Sequence, residues 1–268
     1  MAELAVATWN LLHGIRIVSG ESGPAAGSVD LPALSEAAAR LDVAVVGLQE
    51  VDRAQDRSGH SDQTALVAEA LGAKSWRFVP SLRGTPGLTW QALGEEEEVP
   101  ADEPAYGVGL VSRLPVRSWH VLRFPASRAV LPLLVPGQGL TRVSDEPRIV
   151  VAGVAELPGG GTATVATCHL TFVPGANVAQ LRTVCRWLST LPGPRLLLGD
   201  LNLPGRVPAL ASRWRQLART PTYPSWRPRV QWDHALGSGL AGLVRSATAQ
   251  AVTAPVSDHC ALRVVLHL

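Results

Sequence analysis

The sequence predicts an α/β protein built on mixed β-sheets, and three observations carry that expectation. Its 268 residues, 46% apolar and 17% charged with a net charge of +2, lie in the globular range. A chain of this length buries roughly 70% or more of its unfolded surface without needing disulfides or structural metal. Strand-like apolar runs are numerous, and the helical patterns between them are too widely spaced for a regular alternation of strand and helix, which disfavours a doubly wound parallel sheet. No strong linker interrupts the chain, so residues 1–268 read as one domain.

The elements follow in order. Leu4 to Trp9 is an apolar run ending at Asn10, a buried strand. His13-Gly14 then turns into a Gly/Ser/Pro-rich stretch through Ser28, read as a long loop. Asp30 is placed to cap a helix with Pro32 in its first turn and Leu34, Ala37, Ala38 and Leu41 at helical spacing. Val43 to Leu48 reads as a buried strand that delivers Gln49 and Glu50 at its end, and a second helix runs from near Ser61 to Gly72, a natural C′ residue. Strands are expected at Trp76 to Leu82, Tyr106 to Ser112 and Val116 to Phe124. A hairpin of Arg148 to Leu157 and Thr162 to Leu170 turns at Gly159-Gly160-Gly161. Ala176 to Leu191 has helical period, Arg195 to Leu198 is a very apolar strand leading to Asp200, and three more strands are expected at Val230 to Leu236, Leu243 to Ala251 and Ala261 to Leu268.

Composition excludes several classes. Cys168, Cys185 and Cys260 are odd in number and dispersed, with no Cys-x-x-Cys pair, so neither a disulfide framework nor a zinc ribbon is indicated and a reducing compartment is the simplest reading. Without a basic leader or an apolar run of roughly 18 residues, the chain reads as cytoplasmic, with no membrane span. Lys74 is the single lysine, and the arginines read as scattered rather than gathered into a nucleic-acid stripe.

Polar clusters punctuate the strand ends, where a rigid sheet projects functional side chains. Asp200-x-Asn202 follows Leu196-Leu197-Leu198-Gly199. Residues two apart in an extended segment point the same way, so a carboxylate and an amide emerge together, suited to positioning a water and holding a phosphoryl oxygen. Read alone, such a pair is more often an Asx-turn closing a strand. Glu50 sits at a sheet rim, suited to a hard divalent ion, or is a surface glutamate. Asp258-His259 pairs an anionic oxygen with an imidazole that titrates near neutrality. His169 ends a strand, as a ligand or as a satisfied edge histidine, and Asp233 is a carboxylate able to orient a histidine or to form a surface ion pair.

In order along the chain, these clusters resemble the endonuclease/exonuclease/phosphatase superfamily. The resemblance lies in Thr8-Trp9-Asn10, Leu48-Gln49-Glu50-Val51-Asp52, Gly107 to Arg113, Thr167-Cys168-His169-Leu170, Leu198-Gly199-Asp200-Leu201-Asn202, Trp232-Asp233-His234 and Ser257-Asp258-His259. Gly-Asp-x-Asn followed by a terminal Ser-Asp-His is the specific part, and the match runs from Ala5 to the C-terminus. The opening Asn10-x-x-His13-Gly14 and the stretch after Gln49 are similar to the small bacterial metal-dependent hydrolases of that superfamily.

The resemblance implies a four-layer α/β sandwich, two mixed sheets face to face with helices outside, and Mg²⁺- or Mn²⁺-dependent phosphoester hydrolysis. It implies Glu50 as principal metal ligand with Asn10 and Asp258 as direct or water-mediated ligands. Asp200 would orient or deprotonate water, Asn202 and His169 would bind phosphoryl oxygens, and His259, oriented by Asp233, would stabilise charge. Tyr106 is a candidate substrate contact or a buried structural tyrosine, and His13 and Arg53 are candidate phosphate contacts. The expected substrate is a phosphorylated small molecule or phosphodiester. A DNA-repair nuclease acting on nucleic acid is the alternative, and a non-catalytic binder of a phospho-ligand or protein is the other class. Glu95 to Glu98 would repel a polyanion if they lay near the site, and no basic amphipathic helix speaks for membrane docking.

Overall fold

The computed structural model describes residues 3–20, 23–94, 97–135 and 139–268. Strand β1 (Glu3–Asn10) passes through a tight turn into the hairpin of β2 (Ile15–Gly20) and β3 (Gly23–Val29), which precedes helix α1 (Leu31–Leu41). The stretch before Ser28 is therefore a hairpin and not a loop. Its apolar Ile15, Ile17 and Val18 supply the strand chemistry that its glycines and serines obscured. Then come β4 (Val45–Arg53), α2 (Gln63–Leu71), β5 (Ser75–Gly84), β6 (Trp90–Ala92), β7 (Ala105–Ser112) and β8 (Val116–Phe124). A second hairpin, β9 (Val130–Val135) with β10 (Gly139–Ser144), leads to the antiparallel pair β11 (Arg148–Glu156) and β12 (Thr162–His169). The chain closes with α3 (Ala176–Leu188), β13 (Arg195–Asp200), the short α4 (Val207–Ser212), β14 (Arg215–Gln216), β15 (Asp233–Ser238), β16 (Ser246–Val252) and β17 (Ala261–His267).

Two large sheets result. One has the order β16-β17-β1-β4-β7-β5-β6 and the other β14-β15-β13-β12-β11-β8. Both are mixed, with β1–β4 and β12–β13 the parallel pairs among antiparallel neighbours. Period-two alternation assigns the faces. Val6 and Val45 of the first sheet meet Val151, Val165, Leu196 and Leu198 of the second in an inner core. The opposite faces are covered outside, Trp9 and Leu48 by Leu34 and Leu41 of α1 and Val67 of α2, and Val150 and Leu197 by Leu181, Val184 and Leu188 of α3. This is the four-layer sandwich, and burial of both strand faces explains why the strands read as nearly continuous apolar runs. Asp30 caps α1 as expected, accepting from Ala33 N–H, and Gly72 closes α2 in the left-handed region, while the α2 cap is Asp62, one residue after Ser61, accepting from Ala65 N–H.

Two glycines permit close approaches at the site end, one between the sheets and one between neighbouring strands. A Cβ on Gly47 would lie 2.4 Å from Thr167 Oγ1, the hydroxyl to which Gln49 Nε2 donates at 2.7 Å across the sheets. Gly199, at φ +154°, would place a Cβ 2.2 Å from the Cys168 carbonyl oxygen. Gly199→Ala must shift backbone, so we expect a loss of about 3 kcal/mol and a Tm lower by roughly 6–12 °C. A melt within two degrees or so of wild type would show that β13 adjusts freely beside Asp200.

Among the described residues, no helix is long and apolar enough to cross a membrane. Trp214 is almost buried, whereas Trp226 is 43% exposed. Of the acidic run, Glu95 and Glu96 lie outside the described residues, and Glu97 pairs with Arg83 at 3.2 Å.

Candidate active site

The strand register brings the polar clusters to one end of both sheets. Asn10 pairs in register with Gln49, next to Glu50, while His169, Asp200 and Asp233 lie side by side across β12, β13 and β15. Asp258 and His259 arrive just before β17. Their loop is braced by the first hairpin, where Ser257 N–H donates to Ile15 O at 2.8 Å and Ile17 N–H to Pro255 O at 3.2 Å.

Glu50 does not end its strand. β4 continues to Arg53 through a register shift between Leu48 and Val51, and Glu50 sits in it at φ +53°. Such a bulge re-aims one side chain out of the alternation, and here it turns a carboxylate towards the site. Asn10 then joins the sheets, its Nδ2 donating to Glu50 Oε1 at 2.9 Å and to Asp200 Oδ2 at 3.1 Å. Its Oδ1 accepts from Leu12 N–H at 3.0 Å, so Asn10 faces the site with its nitrogen.

Asp200 and Asn202 meet by a turn and not by extension: Asn202 has φ +49° and its N–H donates to Asp200 Oδ1 at 3.0 Å. The Asx-turn and the functional reading are both satisfied, because Asp200 Oδ2 still faces Asn10, His169 at 3.7 Å and His259 at 3.8 Å. Burial pushes the Asp200 carboxyl up to about 7 against the attraction of His259. Asn202 Nδ2 spends its hydrogens on Leu170 O at 2.9 Å and on His169 Nε2 at 3.1 Å. Burial, with Arg148 and His259 nearby, holds His169 well below its usual range, so the ring is neutral. With Nε2 accepting, its proton lies on Nδ1, 4.0 Å from Glu50 Oε1.

His259 carries the opposite charge. Burial alone would lower it, but the charge and hydrogen bond of Asp233, with Asp200 and Asp258 beyond, raise it well above its usual range. His259 Nδ1 lies 2.8 Å from Asp233 Oδ2, which also accepts from the Thr222 hydroxyl. Tyr223 packs on the imidazole with ring centroids 4.9 Å apart, and the Ser257 hydroxyl accepts from His259 N–H at 3.0 Å. Burial and the Glu50 charge help push Asp258 up to about 6, although neighbouring His259 pulls down. Tyr106 is buried, and its phenol is raised well above 10 by burial and then by Glu50. Arg57 lies over its ring at 5.8 Å while gripping the buried Asp52 carboxylate through two bonds of 2.8 and 2.7 Å.

One candidate phosphate contact is placed elsewhere. Arg53 turns away, donating to Val99 O and Pro100 O. The His13 ring is driven down to about 3 by burial and the nearby Arg57, and its Nδ1 is buried without a partner. Thr222, Tyr223, Arg57 and Arg148 were not singled out from sequence. No motif marks them, and only the Ser257-Asp258-His259 string pointed to Ser257.

Among the described residues, Asp200, Asp233 and His259 bring one ligand atom each within 4.8 Å of one another, a spacing open to a metal. His259 Nδ1 is bonded to Asp233 at 2.8 Å and Nε2 faces Asp200 at 3.8 Å, and the imidazolium would have to give up a proton to ligate an ion there. The Glu50 side, with Asp258 beyond it, offers oxygen donors without that cost, the set that a hard divalent cation prefers.

This chain belongs to the Endonuclease/Exonuclease/phosphatase family, whose model matches residues 7–259. The family comprises phosphoesterases and nucleases, which places the chain among phosphoester hydrolases in general. The fold is shared with a family member from Beutenbergia cavernae DSM 12333, at 21% identity and TM-score 0.62, covering 100% of this chain and 72% of that one. It is also shared with a mannosyl-6-phosphatase of Bacteroides thetaiotaomicron VPI-5482, at 16% identity and TM-score 0.61, covering 99% and 100%. A third likeness is D. rerio TDP2 complexed with a single-strand DNA product, at 13% identity and TM-score 0.60, covering 100% of both chains. No curated protein matches the sequence.

Proposed function

We propose that the protein is a Mg²⁺- or Mn²⁺-dependent hydrolase of a phosphorylated small molecule or phosphodiester, with Asp200 handling the attacking water. The observation that carries this reading is the Asp200 carboxylate, 3% exposed and raised to about 7 between a neutral and a cationic imidazole. A base with that affinity for protons accepts one from water far more readily than an ordinary aspartate does.

Glu50 and Asp258 would hold the cation, with Asn10 between them and Asp200. The set fits: both donors are carboxylates, and Asp258 is buried close enough to the Glu50 charge to be raised by it, a repulsion that a cation relieves. When bound, the ion supplies Lewis-acid stabilisation of phosphoryl charge. Asn10 keeps Glu50 and Asp200 at fixed separation through its two donated bonds. His259, held cationic by Asp233, faces the Asp200 side of the site and would stabilise charge on the phosphoryl oxygens. His169 would offer Nδ1–H to the substrate, and Asn202 would reach a phosphoryl oxygen by exchanging its His169 bond for it. Tyr106, protonated throughout the neutral range, would be a donor beside Glu50.

A second reading, a nuclease of the DNA-repair type, draws on the exposed Trp226 flanked by exposed Arg227 and Arg229, three residues from Tyr223 at His259. Aromatic and cationic side chains together suit stacked bases and phosphates. The test is hydrolysis of a small phosphodiester, a phosphomonoester and an abasic-site DNA duplex with Mg²⁺, Mn²⁺ or EDTA, with Asp200→Asn as the blank. Metal-dependent cleavage of a small ester supports the first reading. Cleavage of abasic DNA alone, weakening steeply with salt, favours the second, and turnover undiminished by EDTA overturns both.

A further inference from the structure

Between Leu157 and Trp232 the chain carries nine arginines, no lysine, no glutamate and one aspartate, the catalytic candidate Asp200. The arginines that look scattered over the whole chain are thus unbalanced in this region. Three of them, Arg182, Arg186 and Arg213, line an open cavity of about 460 Å³ between α3 and α4, on the outer helical layer away from Asp200. Its floor is apolar, made by Trp214, 9% exposed, and Cys185.

Arg182 and Arg186 are one turn apart on α3, where like charges repel, and α3 contains no acidic residue to offset them. Arg213 caps α4 in the left-handed region at φ +62°, a position where glycine would be unstrained. Among the described residues, no acidic residue lines the cavity. Among the described residues, neither the Arg182 nor the Arg213 guanidinium has an ion pair or hydrogen bond, and Arg186 donates only to Thr183 Oγ1 at 3.1 Å. Guanidiniums lining one cavity over an aromatic floor, none of them ion-paired, are the recognition chemistry of a phosphate dianion carried on a planar or apolar group.

We propose that the cavity between α3 and α4 binds a phosphomonoester, its phosphate among Arg182, Arg186 and Arg213 and its organic part against Trp214. This site is separate from the hydrolytic centre and its ligand is not the scissile ester. The cavity volume lies in the range of small-molecule sites.

Calorimetric titration in EDTA, where turnover is suppressed, tests it with inorganic phosphate and phenyl phosphate as probes. One saturable site is expected, unchanged in Asp200→Asn and weakened about tenfold or more by Arg186→Gln or Arg213→Gln, with phenyl phosphate the tighter probe. These arginines are exposed, so the variants should fold normally, which circular dichroism verifies. No saturable binding, or binding indifferent to both arginine variants, overturns the site. Binding lost in Asp200→Asn alone assigns the phosphate to the hydrolytic centre instead, and equal affinity for the two probes removes Trp214 from recognition.

Discussion

Asp200→Asn is expected to lower turnover about 10³-fold, close to 4 kcal/mol of barrier, while the protein remains folded. The amide is isosteric, and its oxygen still accepts the Asn202 N–H that Asp200 Oδ1 holds at 3.0 Å. What disappears is the basic Oδ2 at the meeting point of Asn10, His169 and His259. The new amide nitrogen faces the Asn10 donor, a mismatch worth about 1–3 kcal/mol that removal of a buried charge offsets in part. A Tm within several degrees of wild type, together with collapsed turnover, is the expected pair. Wild-type turnover in the folded variant would take the water-handling role from Asp200.

Asp233→Asn is expected to cost roughly 10²-fold or more in kcat with little change in KM, because Asp233 acts through His259 and does not meet substrate. His259 stays cationic against burial through the charge and the 2.8 Å bond of Asp233. An asparagine oxygen still accepts from Thr222 and His259, but the neutral amide no longer supports the imidazolium. The other carboxylate oxygen, Oδ1, is buried with no partner among the described residues, so an amide group there gains no compensating bond. Unaltered kcat would mean that the His259 charge is idle in the reaction, whereas a raised KM at constant kcat would make His259 a ground-state binder.

Much of this was legible in the sequence because the site lies at strand ends. Gly199-Asp200-Leu201-Asn202 and Ser257-Asp258-His259 are short strings whose local backbone carries their geometry, and the apolar runs in β13 and β17 betray the strands that hold them. Glu50 was legible as a residue but not as a conformation. Its bulge depends on the partner β7, which no local pattern encodes. The first hairpin was hidden because its glycines and serines mimic loop chemistry, and its pairing to the segment before Asp258 joins residues 240 positions apart. Thr222 and Tyr223 escaped for the same reason: they belong to an irregular loop whose place beside His259 is set by long-range contacts such as Cys260 N–H to Thr222 O at 2.8 Å. Arg53 shows the converse, a residue beside a motif in sequence whose side chain follows the 97–100 segment instead.

The division of the site into a cation side at Glu50 and Asp258 and a proton side at Asp200, Asp233 and His259 is tested most directly by calorimetric titration of Mn²⁺ into Glu50→Gln and His259→Ala. Loss of about tenfold or more in affinity for Glu50→Gln, with His259→Ala near wild type, is the result this account predicts. The reverse order would put the ion within the Asp200, Asp233 and His259 cluster and contradict it.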